Sequence, residues 1–303
     1  MCAVLETRQS PVWRFERGDS RLRNRSAIGY SVTNLRRRIG TTVISLGVDP
    51  RATVRSLRFL PAYFRDLLRW WQLAPAIERQ QFKLRLLPTL ADKHAASGVA
   101  RGHYFHQDLW AARLVFEHAP ARHIDVGSRV DGFVAHLLSF REVEVLDIRQ
   151  LESRVSGLRF RQADLMCERP PVIEAADSVS CLHAIEHFGL GRYGDPIMPS
   201  GWRVGIRNLA QLVKPGGRLY VGVPIGRPAV EFNAQRIFHP RYIVDEVAQH
   251  GLRLRQFAHV DDEGNFHAAT PGAEFQTMQM LDRLDYGCGL FFFEKQSEPE
   301  PEF

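Results

Sequence analysis

The sequence predicts an α/β protein with a doubly wound, mainly parallel sheet of seven strands and a helical extension before it. Short apolar strand segments alternate with amphipathic helical segments from residue 123 to residue 294. The first strand leads into Asp125 and Gly127, and the second strand ends in Asp147. An acid–glycine turn with a second acid about 20 residues later is typical of sheets that bind adenosine cofactors.

The segment before the sheet divides into an irregular part and a helical part. Residues 51–72 show helical spacing of apolar residues, and we expect Pro61 to divide this helix into two pieces. A second helix is predicted at 107–118, with the preceding residues, from His103, as a lid or a helix start. The expected organisation is a basic, disordered leader at 1–50, a helical extension at 51–119, a sheet domain at 120–295 and a disordered tail at 296–303.

The predicted strands share short apolar runs bounded by turn residues. They are 123–126, 143–147, 158–163, 178–182, 218–223, 252–259 and 289–294. Helices are predicted between them at 133–140, 202–213 and 239–250. Lys214-Pro215-Gly216-Gly217 should end the middle one, because proline and glycine stop helices. The last two strands have no clear helix between them, so we expect an antiparallel pair at one edge of the sheet.

The composition indicates a cytoplasmic globular protein. The four cysteines form no C-x-x-C pair, as expected of reduced thiols. The first residues lack a signal-peptide pattern, and no apolar run approaches the roughly 20 residues that span a bilayer. Nine arginines against three acids within residues 1–40 account for the whole net charge of +6. This leader could contact anionic lipid, and Trp70-Trp71 could lie on a membrane surface, although a solvated leader and a packed helix are the simpler interpretations.

The charge pattern does not predict a nucleic-acid partner. The basic residues of the leader lack the interleaved aromatic side chains on which bases stack. No nucleic-acid partner is therefore expected, and the sequence carries no signal for an oligomeric state.

Five segments resemble those of class I S-adenosylmethionine-dependent methyltransferases. They are HIDVGSRVDGF from His123, EVEVLDI ending at Ile148, QADL at 162–165, SVSCLHAIEHF at 178–188 and LVKPGGRLYVGVP at 212–224. The segments HYFHQDLWAAR and HAIEHFGLGRYGDP also resemble an uncharacterised methyltransferase-like family of unknown function, linked to polysaccharide biosynthesis. The resemblance implies a Rossmann-like methyltransferase fold, S-adenosylmethionine as the cofactor and methyl transfer as the activity.

The resemblance also implies where the cofactor binds. Asp147 would accept hydrogen bonds from ribose hydroxyls, as its position at a strand end suggests, and Asp164 would lie near the adenine amine. Either acid could instead cap a helix. The full expected set is Asp125, Gly127, Ser128, Asp147, Ile148, Asp164, Leu165 and His183. The first loop departs from the family pattern, since Arg129 and Asp131 replace two glycines and could crowd the methionine end of the cofactor.

The residues after the fourth strand are the candidate catalytic groups. His187 is the expected base, because its unperturbed pKa lies near neutrality, and Glu186 would fix its tautomer. In the following glycine-punctuated loop, Arg192 would hold an anionic or hydroxylated substrate and Asp195 would orient it. His183, Glu186 and His187 also spell H-x-x-E-H, the inverted zinc-protease motif. No distant third ligand is evident, and no metal is expected.

The sequence therefore favours a methyltransferase acting on an oxygen of a sugar or glycan precursor. A non-catalytic binding protein with the same fold is the main alternative, because the glycine loop is incomplete. A zinc hydrolase remains a further alternative. A nicotinamide oxidoreductase is disfavoured, since no G-x-G-x-x-G follows the first strand.

Overall fold

The computed structural model describes residues 50–90, 95–167 and 175–297. The chain divides into two units, one ending at Gly98 and the other starting at Val99. The expected basic leader lies outside the described residues, apart from Pro50, and so does the expected tail from residue 298 onward.

The first unit contains two described helices, α1 (Pro50–Leu73) and α2 (Ala76–Gln81). Helix α1 runs without interruption through Pro61, so the expected division into two pieces is wrong. A proline removes only one backbone donor, and the turns on either side keep their own hydrogen bonds. The side chains of Leu57, Phe64 and Trp71 on α1 are more than half exposed. None of the described helices is both long enough and apolar enough to cross a membrane.

The second unit is built on a mixed sheet of eight strands in the order β3-β2-β1-β4-β5-β10-β8-β9. The strands are β1 (His123–Val126), β2 (Val143–Asp147), β3 (Leu158–Gln162), β4 (Ala176–Leu182), β5 (Val213–Ile225), β8 (Leu252–Val260), β9 (Phe266–Ala268) and β10 (Gly287–Lys295). A separate hairpin pairs β6 (Ala229–Glu231) with β7 (Gln235–Ile237). The predicted doubly wound α/β class is confirmed, but the expected count of seven strands is wrong.

The two halves of the sheet differ in direction. Strands β1 to β5 pair in parallel, so their carboxyl ends meet at one edge. Strand β10 runs antiparallel to both β5 and β8, which confirms the antiparallel pairing of the last two predicted strands. That pair does not form the edge, because the short strand β9 pairs beyond β8. Three residues are too few to show an alternating pattern in the sequence.

Five helical segments accompany the sheet. They are α3 (His103–His118), α4 (Ala135–Leu138), α5 (Gly201–Leu212), α6 (Pro240–Ala248) and α7 (Glu274–Gln279). A π-helical turn at Val130–Val134 precedes α4. Helix α5 ends before Lys214, as predicted, but β5 already begins at Val213. The ladder with β4 shifts from Ala176↔Val213 to Ser178↔Arg218, so the proline–glycine segment bulges within the strand instead of preceding it.

Apolar side chains pack on both faces of the sheet. One core cluster centres on Ile124, Val221 and Phe291 with helices α5 and α6. The other joins Ala111 and Val115 of α3 to side chains of β2, β5 and the turn before α4. Helix α3, expected within the extension at 51–119, therefore packs into the core of the sheet unit.

Candidate active site

A cleft lies at the carboxyl ends of the parallel strands. It encloses about 540 Å³, including space open to solvent. Eight of the predicted site residues line it, namely Gly127, Asp147, Ile148, Asp164, Leu165, His183, His187 and Asp195. Asp125, Ser128, Glu186 and Arg192 do not line it. Open α/β sheets bind ligands at this edge, so the cleft is the candidate site.

Gly127 brings the first turn of the sheet close to the turn after β4. Its φ of +70° lies in the left-handed region, and an added Cβ would come within 2.9 Å of the Cβ of Ala184. Only glycine meets both demands without strain. The first turn thus leaves the cleft open at the end of β1.

Asp125 and Ser128 lie beneath this turn and support it. The Asp125 carboxylate accepts hydrogen bonds from the Ser128 amide (3.1 Å), the Ser128 hydroxyl (2.6 Å) and the Ser180 hydroxyl (2.6 Å). Burial raises the pKa of Asp125 to about 6, against the lowering effect of these hydrogen bonds. The acid that marks the first turn in the sequence therefore holds that turn from within the core.

His123 extends this buried polar group along β1. Its Nδ1 lies 2.7 Å from the Ser178 hydroxyl and its Nε2 3.0 Å from the Ser180 hydroxyl. Burial lowers the pKa of His123 to about 3, so the ring is neutral near pH 7. We call His123, Ser178, Ser180, Asp125 and Ser128 the His123 network. Sequence reasoning missed its histidine and strand serines, because a buried polar set within apolar strands has no periodic signal.

Asp147 reaches the cleft with its carboxylate already paired. Arg149 donates from Nη2 to Oδ2 (2.6 Å), from Nε to Oδ1 (3.0 Å) and from its amide to Oδ1 (2.8 Å). The Arg149 guanidinium also lies over the Tyr193 ring, 4.4 Å from its centroid. Asp147, the predicted ribose ligand, therefore lines the cleft and is held by a cation whose side chain is half exposed.

The sequence left open whether Asp164 caps a helix or lines the site, and where the Arg129 side chain lies. Asp164 lines the cleft and also accepts a hydrogen bond from the Met166 amide at 2.8 Å, so it combines the capping and binding positions. Arg129 pairs with Asp131 at 2.9 Å and lies over the Tyr104 ring. Arg129 does not line the cleft itself, but it lines an adjoining pocket that shares Asp147 and Arg149 with the cleft.

The H-x-x-E-H segment does not form the helix that a zinc protease requires. Ile185–His187 is a single 3-10 turn, and His183 adopts a left-handed φ of +51°. The His183 Nδ1 donates to Glu186 Oε1 at 2.9 Å. Burial by itself lowers the pKa of His183, but Cys288 and Glu186 outweigh it and hold this pKa well above its usual value.

His187 is held in the form that a general base needs. Its Nδ1 lies 2.6 Å from the Ala234 carbonyl oxygen, which can only accept, so the proton resides on Nδ1 and Nε2 is unprotonated. Burial lowers the pKa of His187, with Glu186 opposing and Arg192 adding to the effect, so the ring is neutral near pH 7. The carbonyl of Ala234 fixes the tautomer, while Glu186 Oε1 bonds His183 and lies 3.7 Å from His187 Nε2.

The loop after this turn is folded around Asp195. Its carboxylate accepts hydrogen bonds from the amides of Gly189 (2.9 Å), Gly191 (3.2 Å) and Tyr193 (3.1 Å). Burial raises the pKa of Asp195, but these amides outweigh it and lower the pKa overall. Arg192 donates to the Ala234 carbonyl at 2.9 Å. Both predicted substrate contacts thus also shape the loop beside the cleft.

Two further residues at this edge come from distant parts of the chain. His103 opens α3, and its Nε2 lies 3.2 Å from the Tyr286 carbonyl oxygen. Burial lowers the pKa of His103 to about 4, helped by the nearby His183. Cys288 lies near the start of β10 and is fully buried. The antiparallel direction of the last strand was the one signal that could have placed Cys288 at this edge.

The comparisons with known proteins give a family of unknown function and distant structural neighbours. A family model described as "Caenorhabditis protein of unknown function, DUF268" matches residues 124–244. No curated protein matches the chain. The N-methyltransferase NodS from Bradyrhizobium japonicum WM9, in complex with S-adenosyl-L-homocysteine, is 15% identical with a TM-score of 0.45, over 66% of this chain and 89% of that chain.

Two further solved structures show a similar likeness. The [4+2]-cyclase SpnF is 14% identical with a TM-score of 0.45, over 66% of this chain and 89% of that chain. The 1,6-didemethyltoxoflavin-N1-methyltransferase of Burkholderia thailandensis is 13% identical with a TM-score of 0.42, over 64% of this chain and 84% of that chain. At this level of similarity, the reaction has to be argued from the cleft itself.

Proposed function

We propose that this protein is an S-adenosylmethionine-dependent methyltransferase that acts on an oxygen of a sugar or glycan precursor. The observation that carries the proposal is the cleft, which brings the Gly127 turn, the Asp147 carboxylate and the neutral His187 to one edge of the sheet. This arrangement would hold a nucleoside cofactor and would supply a base for the hydroxyl group of the acceptor.

The residues of the cleft fit the cofactor. Leu146, Ile148 and Leu165 supply an apolar surface for an adenine ring, and Asp147 and Asp164 supply acceptors for its ribose hydroxyls and amine. The turn at Gly127, which has no side chain, would leave room beside it for the methionine portion. Asp147 would exchange part of its contact with Arg149 for the ribose hydroxyls.

The chain's own residues have two tasks in the reaction. When bound, S-adenosylmethionine supplies an electrophilic methyl group on a sulfonium sulfur. The protein must hold the acceptor close to that methyl group, and such proximity supplies on the order of 7–11 kcal/mol. His187 Nε2 is the atom that takes the proton of the acceptor hydroxyl, because Nδ1 is committed to Ala234.

The base and the side chains beside the cleft indicate the acceptor class. A neutral base is needed for an alcohol and is unnecessary for a free amine, so His187 favours an oxygen acceptor. The glycan assignment is supported by the sequence resemblance to a family linked to polysaccharide biosynthesis. Tyr193 and Arg192, which lie together beside the cleft, offer an aromatic face and hydrogen-bond donors to a sugar.

Calorimetry with S-adenosylmethionine tests the proposal. We expect micromolar binding by the wild type and its loss in Asp147→Ala, while Asp245→Ala, which removes an exposed acid on α6, binds normally. Release of S-adenosylhomocysteine with a panel of sugar nucleotides and oligosaccharides then identifies the acceptor. Cofactor binding without turnover on any acceptor would favour the non-catalytic alternative. No binding to folded wild type would overturn the methyltransferase proposal.

A further inference from the structure

Three side chains with metal-ligating atoms meet beside the cleft. They are His103 at the start of α3, His183 after β4 and Cys288 in β10. One ligand atom of each lies within 4.8 Å of the other two. The methyl transfer proposed above uses none of the three as a base, and three distant parts of the chain are needed to assemble them.

Each histidine of this cluster donates a hydrogen bond from one of its ring nitrogens to a fixed acceptor. His183 donates from Nδ1 to the Glu186 carboxylate, and His103 donates from Nε2 to the Tyr286 carbonyl. Histidines that bind metals almost always donate their other ring nitrogen to a carboxylate or carbonyl, which fixes the ring and the tautomer. The cluster therefore has its outer hydrogen bonds already in place.

The inner atoms of the cluster have few partners outside it. The His183 side chain is 4% exposed, and its Nε2 makes no hydrogen bond of normal geometry among the described residues. Cys288 is fully buried and interacts with the His183 ring, and its sulfur otherwise has a weak contact of 3.8 Å to the Gly289 carbonyl. A buried polar atom without a full partner destabilises the fold unless a ligand completes it. His183 also keeps a left-handed backbone, a strain that recurs at functional sites.

We propose that His103, His183 and Cys288 bind one divalent cation of the zinc class. Two imidazole nitrogens and one thiolate form a donor set that zinc prefers over magnesium or calcium. Glu186 and the Tyr286 carbonyl orient the two imidazoles. This site differs from the H-x-x-E-H arrangement, because His187 is bonded to Ala234 and takes no part in it.

The geometry leaves room for a further ligand. Three protein ligands complete only part of a tetrahedral shell, and zinc sites with an open position bind and polarise a substrate oxygen or sulfur. His183 lines the cleft, so the open position would face it. This role of the ion rests on the methyltransferase function proposed above, where it would hold the acceptor near His187; the ion-binding site itself does not.

Metal content and cobalt spectroscopy test the site directly. We expect purified wild-type protein to carry about one zinc ion per chain by mass spectrometry of the digested metals. After removal of zinc with a chelator, added Co²⁺ should give a thiolate-to-cobalt charge-transfer band in the near ultraviolet and visible bands of tetrahedral cobalt. Cys288→Ser should abolish the charge-transfer band.

Matched variants separate ligation from general damage. Cys181→Ser makes the same change at a buried thiol of β4 outside the cluster and should keep both zinc and the band. His103→Gln should weaken cobalt binding at least tenfold, whereas His106→Gln, on the same helix, should not. If Cys288→Ser fails to fold, the partly exposed His103 provides the decisive variant.

The outcomes are distinct from those of the cofactor experiment. No cobalt band in folded, chelator-treated wild type, or a band that persists in Cys288→Ser, would overturn the metal site. Either result would leave S-adenosylmethionine binding unaffected. Conversely, failure to bind S-adenosylmethionine with a normal cobalt band would retain the metal site and remove only its assigned role in methyl transfer.

Discussion

Two sets of buried histidines and carboxylates, one on β1 and β4 and the other in the turn after β4, differ in their hydrogen bonding. In the His123 network, both ring nitrogens of His123 meet serine hydroxyls, and Asp125 accepts three hydrogen bonds. At the carboxyl edge of the same strands, His183 Nε2 and Glu186 Oε2 make no hydrogen bond of normal geometry among the described residues. A few residues of strand separate a satisfied set from an unsatisfied one.

This difference distinguishes a set of residues that supports the fold from a set that is available for binding or reaction. A satisfied buried network rigidifies the fold and has no atom left for a ligand. An unsatisfied buried atom costs stability, and one that lies beside a cleft is available to a ligand. The His123 network therefore holds the first turn, and the edge set serves the cleft.

Loss of His187 should have the largest effect. We expect His187→Gln to lower turnover by about 10²–10⁴-fold, because the acceptor hydroxyl loses its base. The free energy of unfolding should fall by about 1–2 kcal/mol, since the largely buried side chain loses its hydrogen bond to the Ala234 carbonyl. Single-turnover kinetics with the acceptor from the panel, alongside His118→Gln as control, provides the measurement. Unchanged turnover would place the base elsewhere.

Loss of His123 should act on stability instead. His123→Ala removes two buried hydrogen bonds and leaves a cavity, which we expect to lower the free energy of unfolding by about 3 kcal/mol. Urea unfolding followed by circular dichroism measures the loss. Turnover per folded molecule should stay within about twofold of wild type. A larger fall in turnover at full stability would contradict the division between support and chemistry.

Lowering the pH should destabilise the protein, because the buried His123 is neutral in the folded state. Its pKa is about 3 in the folded protein, below the 6.5 of a free imidazole, so stability present above pH 6.5 is lost as the pH falls. From pH 6.5 to 5, wild type should lose about 2 kcal/mol relative to His123→Ala, at about 1.4 kcal/mol per pH unit. Asp125 is present in both proteins, so its opposite contribution cancels. Parallel pH profiles would show that His123 is not neutral.

Removal of Arg149 should have the smallest effect, because Arg149 is half exposed where it pairs with Asp147. Arg149→Ala releases the Asp147 carboxylate, and a half-exposed ion pair is worth up to about 1 kcal/mol. We expect S-adenosylmethionine to bind up to about fivefold more tightly by calorimetry. Arg161→Ala, which removes a comparable exposed partner of Glu144, serves as the control. Weaker binding in Arg149→Ala would mean that Arg149 orients Asp147 for the cofactor.

The strand framework could be predicted because apolar runs directly encode buried strands. The positions of Asp147, Asp164 and His187 at strand ends followed from that framework, and all three line the cleft. The uninterrupted helix through Pro61 could not be predicted from a local rule, because the rest of the helix outweighs one lost hydrogen bond. The three-residue strand β9 was too short to carry a pattern.

The partners of each site residue could not be predicted from sequence. Glu186 bonds His183 instead of His187, because the segment turns after one 3-10 turn. Ala234 fixes His187 across a hairpin that no pattern indicated. His103 and Cys288 reach the cleft only through the tertiary fold. Such contacts depend on backbone direction over long sequence separations, which residue spacing does not encode.

Because β10 lies between β5 and β8 in the sheet, the sheet cannot be completed during synthesis until β10 has been made. Strand β5 ends at Ile225, and its neighbour β10 begins only at Gly287. While the ribosome makes the intervening residues, β5 presents an unpaired edge, the kind of edge on which nascent chains associate wrongly. Cys288 and the Tyr286 carbonyl arrive with that same late strand. The cleft edge is therefore completed only after β10 has been made, and a nascent chain stalled before β10 has the Gly127 turn and Asp147 but lacks the full His103–His183–Cys288 cluster.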